Sequence, residues 1–515
     1  MSSRHDVWRR RVTMAVIGIA TAGAIALVAH VAVQARSPAV WLEPLALPVN
    51  TVEPTPAEFT ARIVAETRAL SKFAHAVDEF APPALAPLRI EPAEPSAFPT
   101  RTIRRLIGAD DMRIVGEVTQ PPDHVDILVR DARTQLTVRN RLPRAANALE
   151  RLVSVGAEDV LLIAAPLDAA TIALHDSMRL GDVARLDAIV AALARRPELA
   201  NDPRALAVKA ARDAANGRCS DALAAYENVI ARAPQVSRLY ILAADCHARL
   251  GQRDAALARL DIAAERSRDA PRAKSLAGEA YRRIGYPARS LELLRAVHVR
   301  EPRLASNTIA IGETLLALHR PQEALAWMSA HTGDEAWQSR WLAVIGLAQV
   351  RSGQGPAAES TASALRGRDP TSLDALRIDA ELAAATKAWP QALARYSALR
   401  IMLPNDAAAL AGEGRSLIGM QRAGDAVVAY QSCIDVASWW AECRLGLGIA
   451  LREADRADEA LAPLRDAAAL DALDPRIPQE TARTLRALLR RDEARAFSAH
   501  AELLARRLTQ RSTLP

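Results

Sequence analysis

From residue 203 onward the chain repeats itself every 34 residues, a period that constrains its fold more than any other feature. Register starts fall at 203, 237, 271, 305, 339, 373, 407, 441 and 475 without an insertion. The eighth position of each unit is Gly or Ala throughout, from Ala210 and Ala244 to Gly448 and Ala482. The twentieth is Ala in every unit except one, where it is Ser290. Position 24 is mostly large, as in Tyr226, Leu260, Leu294, Met328, Tyr396, Tyr430 and Leu464. Pro234, Pro302, Pro370 and Pro404 stand at position 32, and Gly217, Gly251, Gly285 and Gly353 at position 15. Each unit reads as two antiparallel helices crossing where positions 8 and 20 meet, because only small side chains allow that approach. The large residue at 24 fills the seam, and the proline stops the second helix.

The pattern resembles the tetratricopeptide repeat, a helix–turn–helix of 34 residues that stacks into an α-solenoid. The resemblance spans about nine repeats over residues 203–508 and lacks the family's tryptophan at position 4. It implies a groove lined by positions 2, 5, 9, 12 and 13 of each first helix. Those positions hold Arg238, Arg249, Arg272, Arg282, Arg283, Arg340, Arg351, Arg377 and Arg415, together with Arg204, Arg452, Arg476, Arg483 and Arg486. Fewer acids share the face: Asp245, Glu279, Glu313, Asp374, Glu381, Glu442 and Glu453. Arginine forks suit carboxylates, so an acidic peptide of a protein partner or an anionic polysaccharide fits a basic groove. A solvated charged face with no ligand is the competing reading.

Net charge is +6 with a pI of about 9.4. Lysine occurs only at Lys72, Lys209, Lys274 and Lys387, so arginine carries almost all the positive charge. Such an Ala- and Arg-rich chain matches the product of a GC-rich bacterial genome better than a nucleic-acid binder, and no basic tail or aromatic RNA motif accompanies it.

At the N-terminus, Arg4, Arg9, Arg10 and Arg11 precede an apolar run from Val12 to Val33. A bilayer-spanning helix needs about 20 such residues. The flanking charge predicts a cytoplasmic tail over 1–11, a transmembrane helix over 12–35, and the bulk of the chain in the periplasm of a Gram-negative cell. A cleavable signal peptide ending near Val33-Gln34-Ala35 is the alternative, and it exports the same residues.

Proline richness marks residues 36–99 as a linker interrupted by a helix over 57–80. That helix suits either a partner or its own domain. Residues 100–167 read as a small α/β domain, with strands at 112–118, 124–130 and 135–139, a helix over 144–155 and a buried strand over 159–165. Here Val138-Arg139-Asn140 followed by the Arg144–Leu149 stretch resembles units of bacterial exopolysaccharide-export proteins. Residues 168–202, with helices at 174–180 and 183–194, are expected to form a degenerate cap on the solenoid.

The sequence has no P-loop, His-Glu-x-x-His, Cys-x-x-Cys or Gly-x-Ser-x-Gly motif, and its histidines are scattered. Gly446-Leu-Gly448 falls on a repeat position with no strand before it. No catalytic residue, cofactor or metal is expected. Four cysteines remain, Cys219, Cys246, Cys433 and Cys443. In an oxidising compartment the antiparallel register pairs Cys219 with Cys246 and Cys433 with Cys443, each staple joining adjacent repeats. Four buried thiols acting as small apolar residues are the alternative. The expected function is therefore a non-catalytic scaffold for protein–protein interaction in an envelope assembly or export system, whether of exopolysaccharide, pilus or secretion. Direct binding of an anionic polysaccharide is the alternative, and an enzyme built on the α/β segment is the least supported reading.

Overall fold

A computed structural model describes residues 40–48, 54–80, 90–92, 112–143, 148–175, 183–267, 269–331, 337–472 and 474–511. The expected transmembrane segment lies outside these. Among the described residues no helix is long and apolar enough to cross a membrane. The chain divides into two compact units, residues 1–209 and 210–515.

The first unit is built on a five-stranded sheet of order β2-β1-β3-β4-β5. Its strands are β1 (Val40–Leu42), β2 (Ile90–Pro92), β3 (Met112–Thr119), β4 (His124–Asp131) and β5 (Thr137–Pro143). β1 runs parallel to both β2 and β3, while β3, β4 and β5 form an antiparallel meander. Parallel neighbours need a crossover. Helix α1 (Pro56–Val77) supplies it between β1 and β2 and starts on a capping box made by Thr55 and Glu58. Phe59, Ile63 and Val64 of α1 pack in one core with Leu42, Ile90, Ile114 and Ile127. Arg68 of α1 donates to the Ile90 carbonyl at 2.8 Å, and Thr60 accepts from Leu45 N–H at 2.9 Å.

This corrects the linker reading of residues 36–99. The short apolar pieces Val40–Leu42 and Ile90–Pro92 are strands, too brief to stand out among prolines. A second correction concerns residues 144–165: a single helix, α2 (Ala148–Ala164), replaces the expected helix and strand. A short apolar run such as 159–165 is equally compatible with a buried helix, and packing between strand β4 and helix α1 decided the matter. Gly156 makes that packing close, since a Cβ there would meet Ile127 Cδ1 at 2.8 Å and Ile63 Cδ1 at 3.0 Å. Helix α3 (Pro166–His175) starts well before the expected 174, and α4 (Val183–Ala194) follows. Both belong to the first unit, where Ser71 of α1 donates to Asp168 of α3 and Arg196 donates to the Ile163 carbonyl.

Helix pairs fill the rest of the chain. First helices begin at 203, 237, 271, 305, 338, 373, 407, 441 and 476, and second helices at 219, 253, 287, 321, 355, 389, 423, 457 and 491. Every residue at position 20, from Ala222 to Ala494, is buried. The small residue at position 8 meets position 20 in repeat 8, where a Cβ on Gly448 would lie 3.3 Å from the Ala460 carbonyl, but it has a nearer neighbour. A Cβ on Gly278 would lie 2.7 Å from Leu294, on Gly312 2.7 Å from Met328, and on Gly448 2.6 Å from Leu464. Position 8 thus makes room chiefly for the large side chain at position 24 of the same repeat. In repeat 5, where position 24 is only Ala362, Ile378 of the next repeat takes that space over Gly346.

Position 15 takes positive φ in all nine repeats. Gly217, Gly251, Gly285 and Gly353 do so, but so do His319, Lys387, Gln421, Asp455 and Leu489. Each ends a first helix in a Schellman motif, as where Gln421 N–H donates to Ile418 and Arg422 N–H to Leu417. Cys433 and Cys443 form a disulfide between repeats 7 and 8, with Cα atoms 5.5 Å apart. Cys219 and Cys246 are buried free thiols, so only one of the two expected bridges is present.

Candidate functional site

The first helices of the second unit carry a row of charges at position 9: Asp245, Glu279, Glu313, Glu381 and Arg415. Repeat geometry brings position 9 of one helix beside positions 2, 9, 12 or 13 of its neighbours, and the arginines expected in the groove meet acids there. Arg282 reaches Glu313 at 2.7 Å, and Arg283 reaches Asp245 at 3.0 Å. Arg340 bridges Glu313 at 3.0 Å and Glu279 at 3.3 Å. Arg415 holds Glu381 at 3.0 Å and donates to the Tyr396 hydroxyl at 2.8 Å. Arg377 pairs with Asp406, which also caps its own helix through Ala408 and Ala409 N–H. Arg476 joins Glu442 and Asp474, and Arg452 joins Glu480.

Two further arginines serve the backbone. Arg249 donates to the Ala214 carbonyl at 2.7 Å, and Arg351 donates to the Leu316 carbonyl at 3.1 Å. They occupy the same repeat position, and each satisfies the last turn of the preceding first helix. Arg238 is buried near the start of its helix, whereas Arg272 is exposed. Arg204 lies in the first unit, paired with Asp78 and Asp202.

The face is therefore a ladder of mutually neutralised charges, not the freely basic surface expected from counting arginines. Burial pushes the Glu313 carboxyl up, but Arg282 and Arg340 outweigh it and hold it below the usual range. Burial likewise acts on Glu381, where Arg415 and Arg351 prevail. Asp374 is the exception: burial raises it and Arg377 only partly offsets that. Sequence reasoning missed Asp406, Glu413, Asp474 and Glu480. Glu413 accepts from Ser397 at 2.6 Å and from Arg400 at 3.0 Å. The usable clue was like-numbered positions in adjacent repeats, since Glu381 and Arg415, or Glu442 and Arg476, stand one period apart.

Clusters that mimic chemistry occur elsewhere. In the first unit Ser71, Asp168 and His75 come together, with Ser71 2.7 Å and His75 3.6 Å from the same carboxylate oxygen. The serine is fully buried and its hydroxyl donates a hydrogen bond to the aspartate, so the carboxylate separates it from the histidine that a triad would need as base. His319, Asp471 and Asp474 gather donor atoms within 4.8 Å, a grouping that scattered histidines in the sequence do not reveal. The Arg476 guanidinium and backbone N–H already engage both Asp474 oxygens. Beside Arg249, the Cys246 thiol hydrogen-bonds to Cys219 and brings the latter down to about 7.

With this geometry in view, the tetratricopeptide repeat family model matches residues 213–280, from within repeat 1 to the first helix of repeat 3. Over residues 213–280 the chain carries tetratricopeptide repeats. No curated protein matches it. Among the solved structures that overlap it in part are the following three. The APC/C hetero-tetramer Cut9-Hcn1 shares 13% identity, covering 68% of this chain and 81% of that one, at a TM-score of 0.33. A thermophilic TPR protein of Thermus thermophilus shares 20% identity over 36% of this chain and 99% of its own, at 0.32. A tetratricopeptide repeat protein from Parabacteroides merdae shares 12% over 55% and 98%, at 0.28. The tetratricopeptide assignment rests on the matched segment and on the continuation of its helix register through residue 511.

Proposed function

We propose that this tetratricopeptide protein is a non-catalytic scaffold whose concave face binds a polypeptide partner in a cell-envelope assembly or export system. The observation that carries the reading is the position-9 ladder. Asp245, Glu279, Glu313 and Glu381 hold neighbouring arginines in fixed orientations, so the face offers both signs of charge already positioned. Arg282, Arg283, Arg415 and Arg452 each keep a buried Nε–H with no protein acceptor among the described residues. Those Nε–H groups are sealed from solvent, so a bound chain would meet the partly exposed guanidinium tips that the ladder holds in place. A polyanion such as an acidic polysaccharide would have to displace the resident acids, which favours the polypeptide. Export is supported by the Arg-flanked apolar run at 12–35, read as an inner-membrane anchor that would leave the repeats in the periplasm.

Pull-down from detergent-solubilised envelope tests the partner class. Arg272→Glu is the informative variant, because Arg272 is exposed and its replacement breaks no ladder pair. It should weaken capture, with melting unchanged within about 0.5 kcal/mol. Capture that survives protease but not glycan hydrolysis would replace the polypeptide with a polysaccharide. For topology, a phosphatase fused after Pro515 should be active, and an inactive fusion would refute periplasmic placement.

A further inference from the structure

We propose that the repeat array is latched into a closed superhelix, the turns inside repeats 2–4 gripping the joints that follow repeats 7 and 8. In a solenoid of this kind each repeat touches its immediate neighbours, so stability is a sum of local terms. Here hydrogen bonds join residues 190, 216 and 217 apart in sequence. Arg253, at the start of the second helix of repeat 2, donates to the Ala469 carbonyl at 3.1 Å and the Leu470 carbonyl at 3.2 Å. Those carbonyls end the second helix of repeat 8, where a cation also meets the negative pole of the helix. Ser438, in the joint after repeat 7, donates to the Ala248 carbonyl of repeat 2 at 3.0 Å. Gly285, in the turn of repeat 3, packs so closely on that joint that a Cβ would sit 3.3 Å from the Trp439 carbonyl. His319, in the turn of repeat 4, stands 4.0 Å from Asp474 in the joint after repeat 8.

These contacts share one logic. The turns within repeats lie along one edge of the ribbon of helices, and the joints between repeats lie along the other. Edge meets opposite edge only if the ribbon has wound through a full turn and closed on itself. Arg253 is fixed for its task by Tyr286, whose ring lies 4.6 Å from the guanidinium. The two carbonyls that it binds are among the orphans every helix end leaves, so the latch satisfies groups that otherwise need solvent. A latched array shields its concave face. A partner then enters as an extended segment along the axis, while a folded domain must first part the two edges.

The test uses the full-length protein. A photo-crosslinking residue at the exposed Gln252 should capture peptides containing 438–440 or 469–472 within the same chain. Its failure to do so would overturn the latch without any destabilising change. Arg253→Glu should then raise the radius of gyration in small-angle scattering and speed amide exchange around 438–440 and 469–472 about tenfold or more, with helicity by circular dichroism retained. Scattering and exchange identical to the unaltered protein would also overturn it. Should Arg253→Glu lose helicity, Ser438→Ala removes a single hydrogen bond and should give a smaller change in the same direction.

Discussion

The left-handed residue at position 15 invites a quantitative test. All nine first helices end in the same Schellman motif, yet five of them place a side chain where glycine is the natural choice. Lys387, Gln421 and Leu489 have φ of 58°, 60° and 61°. The left-handed conformation costs an L-residue about 1–2 kcal/mol. Glycine gives back about 0.5–1 kcal/mol of that through its larger loss of chain entropy. Each of Lys387→Gly, Gln421→Gly and Leu489→Gly should therefore stabilise the array by about 0.5–1 kcal/mol. The sites sit in separate repeats, so the triple variant should approach about 2 kcal/mol. With a urea slope of about 3 kcal/mol/M, the midpoint by circular dichroism should rise by about 0.7 M. Gly353→Ala is the reverse control. Its new Cβ would meet nothing within 4 Å, so backbone conformation alone should lower stability, by about 1 kcal/mol. A triple variant that melts at or below the original midpoint would refute the reasoning.

Other outcomes follow from individual contacts. Non-reducing peptide mapping should recover Cys433 linked to Cys443, with Cys219 and Cys246 alkylatable after unfolding. Their sequence separation of 10 makes reduction of the Cys433–Cys443 bridge worth about 3 kcal/mol in the chain-entropy model, read as a lower urea midpoint. Gly446→Leu should destabilise by about 1–3 kcal/mol or more in the same melts, since even a Cβ there would lie 2.0 Å from the Tyr430 ring. Arg340→Ala should cost about 3 kcal/mol, because it strands the buried Glu279 carboxylate and leaves Glu313 to Arg282 alone. His319 is held below its ordinary value, first by burial and then by Arg476, with Arg351 adding to this and Asp474 and Glu442 opposing. A depressed histidine contributes stability that is whole above about pH 6.5 and is lost as pH falls through the lower folded value. Amide exchange near 469–472 should thus quicken on mild acidification, and His319→Gln should remove that dependence.

The sequence by itself determined the helical repeat, because period, small residues at 8 and 20 and large residues at 24 are local demands that recur in every unit. Buried Ala222 and Ala460 and the Gly278–Leu294 contact are the physical content of that pattern. The resemblance also implied which arginines share a groove, since a fixed register puts like positions on one side. What they do there was not legible. Whether Arg340 waits for a ligand or bridges Glu279 and Glu313 depends on distances between helices 27 and 61 residues apart in sequence. The strands at 40–42 and 90–92 were hidden for a similar reason. Three residues among prolines carry no periodicity, and only the pairing of β1 with β3 and of β2 with β1, together with packing under α1, makes them a sheet. The same holds for 159–165, where apolar content fixed burial but the surrounding sheet and helix chose the backbone. Closure of the array was furthest from reach. Arg253, Ser438 and His319 are ordinary surface residues within their own repeats, and they meet Leu470, Ala248 and Asp474 only because small angles between successive repeats add up to a full turn.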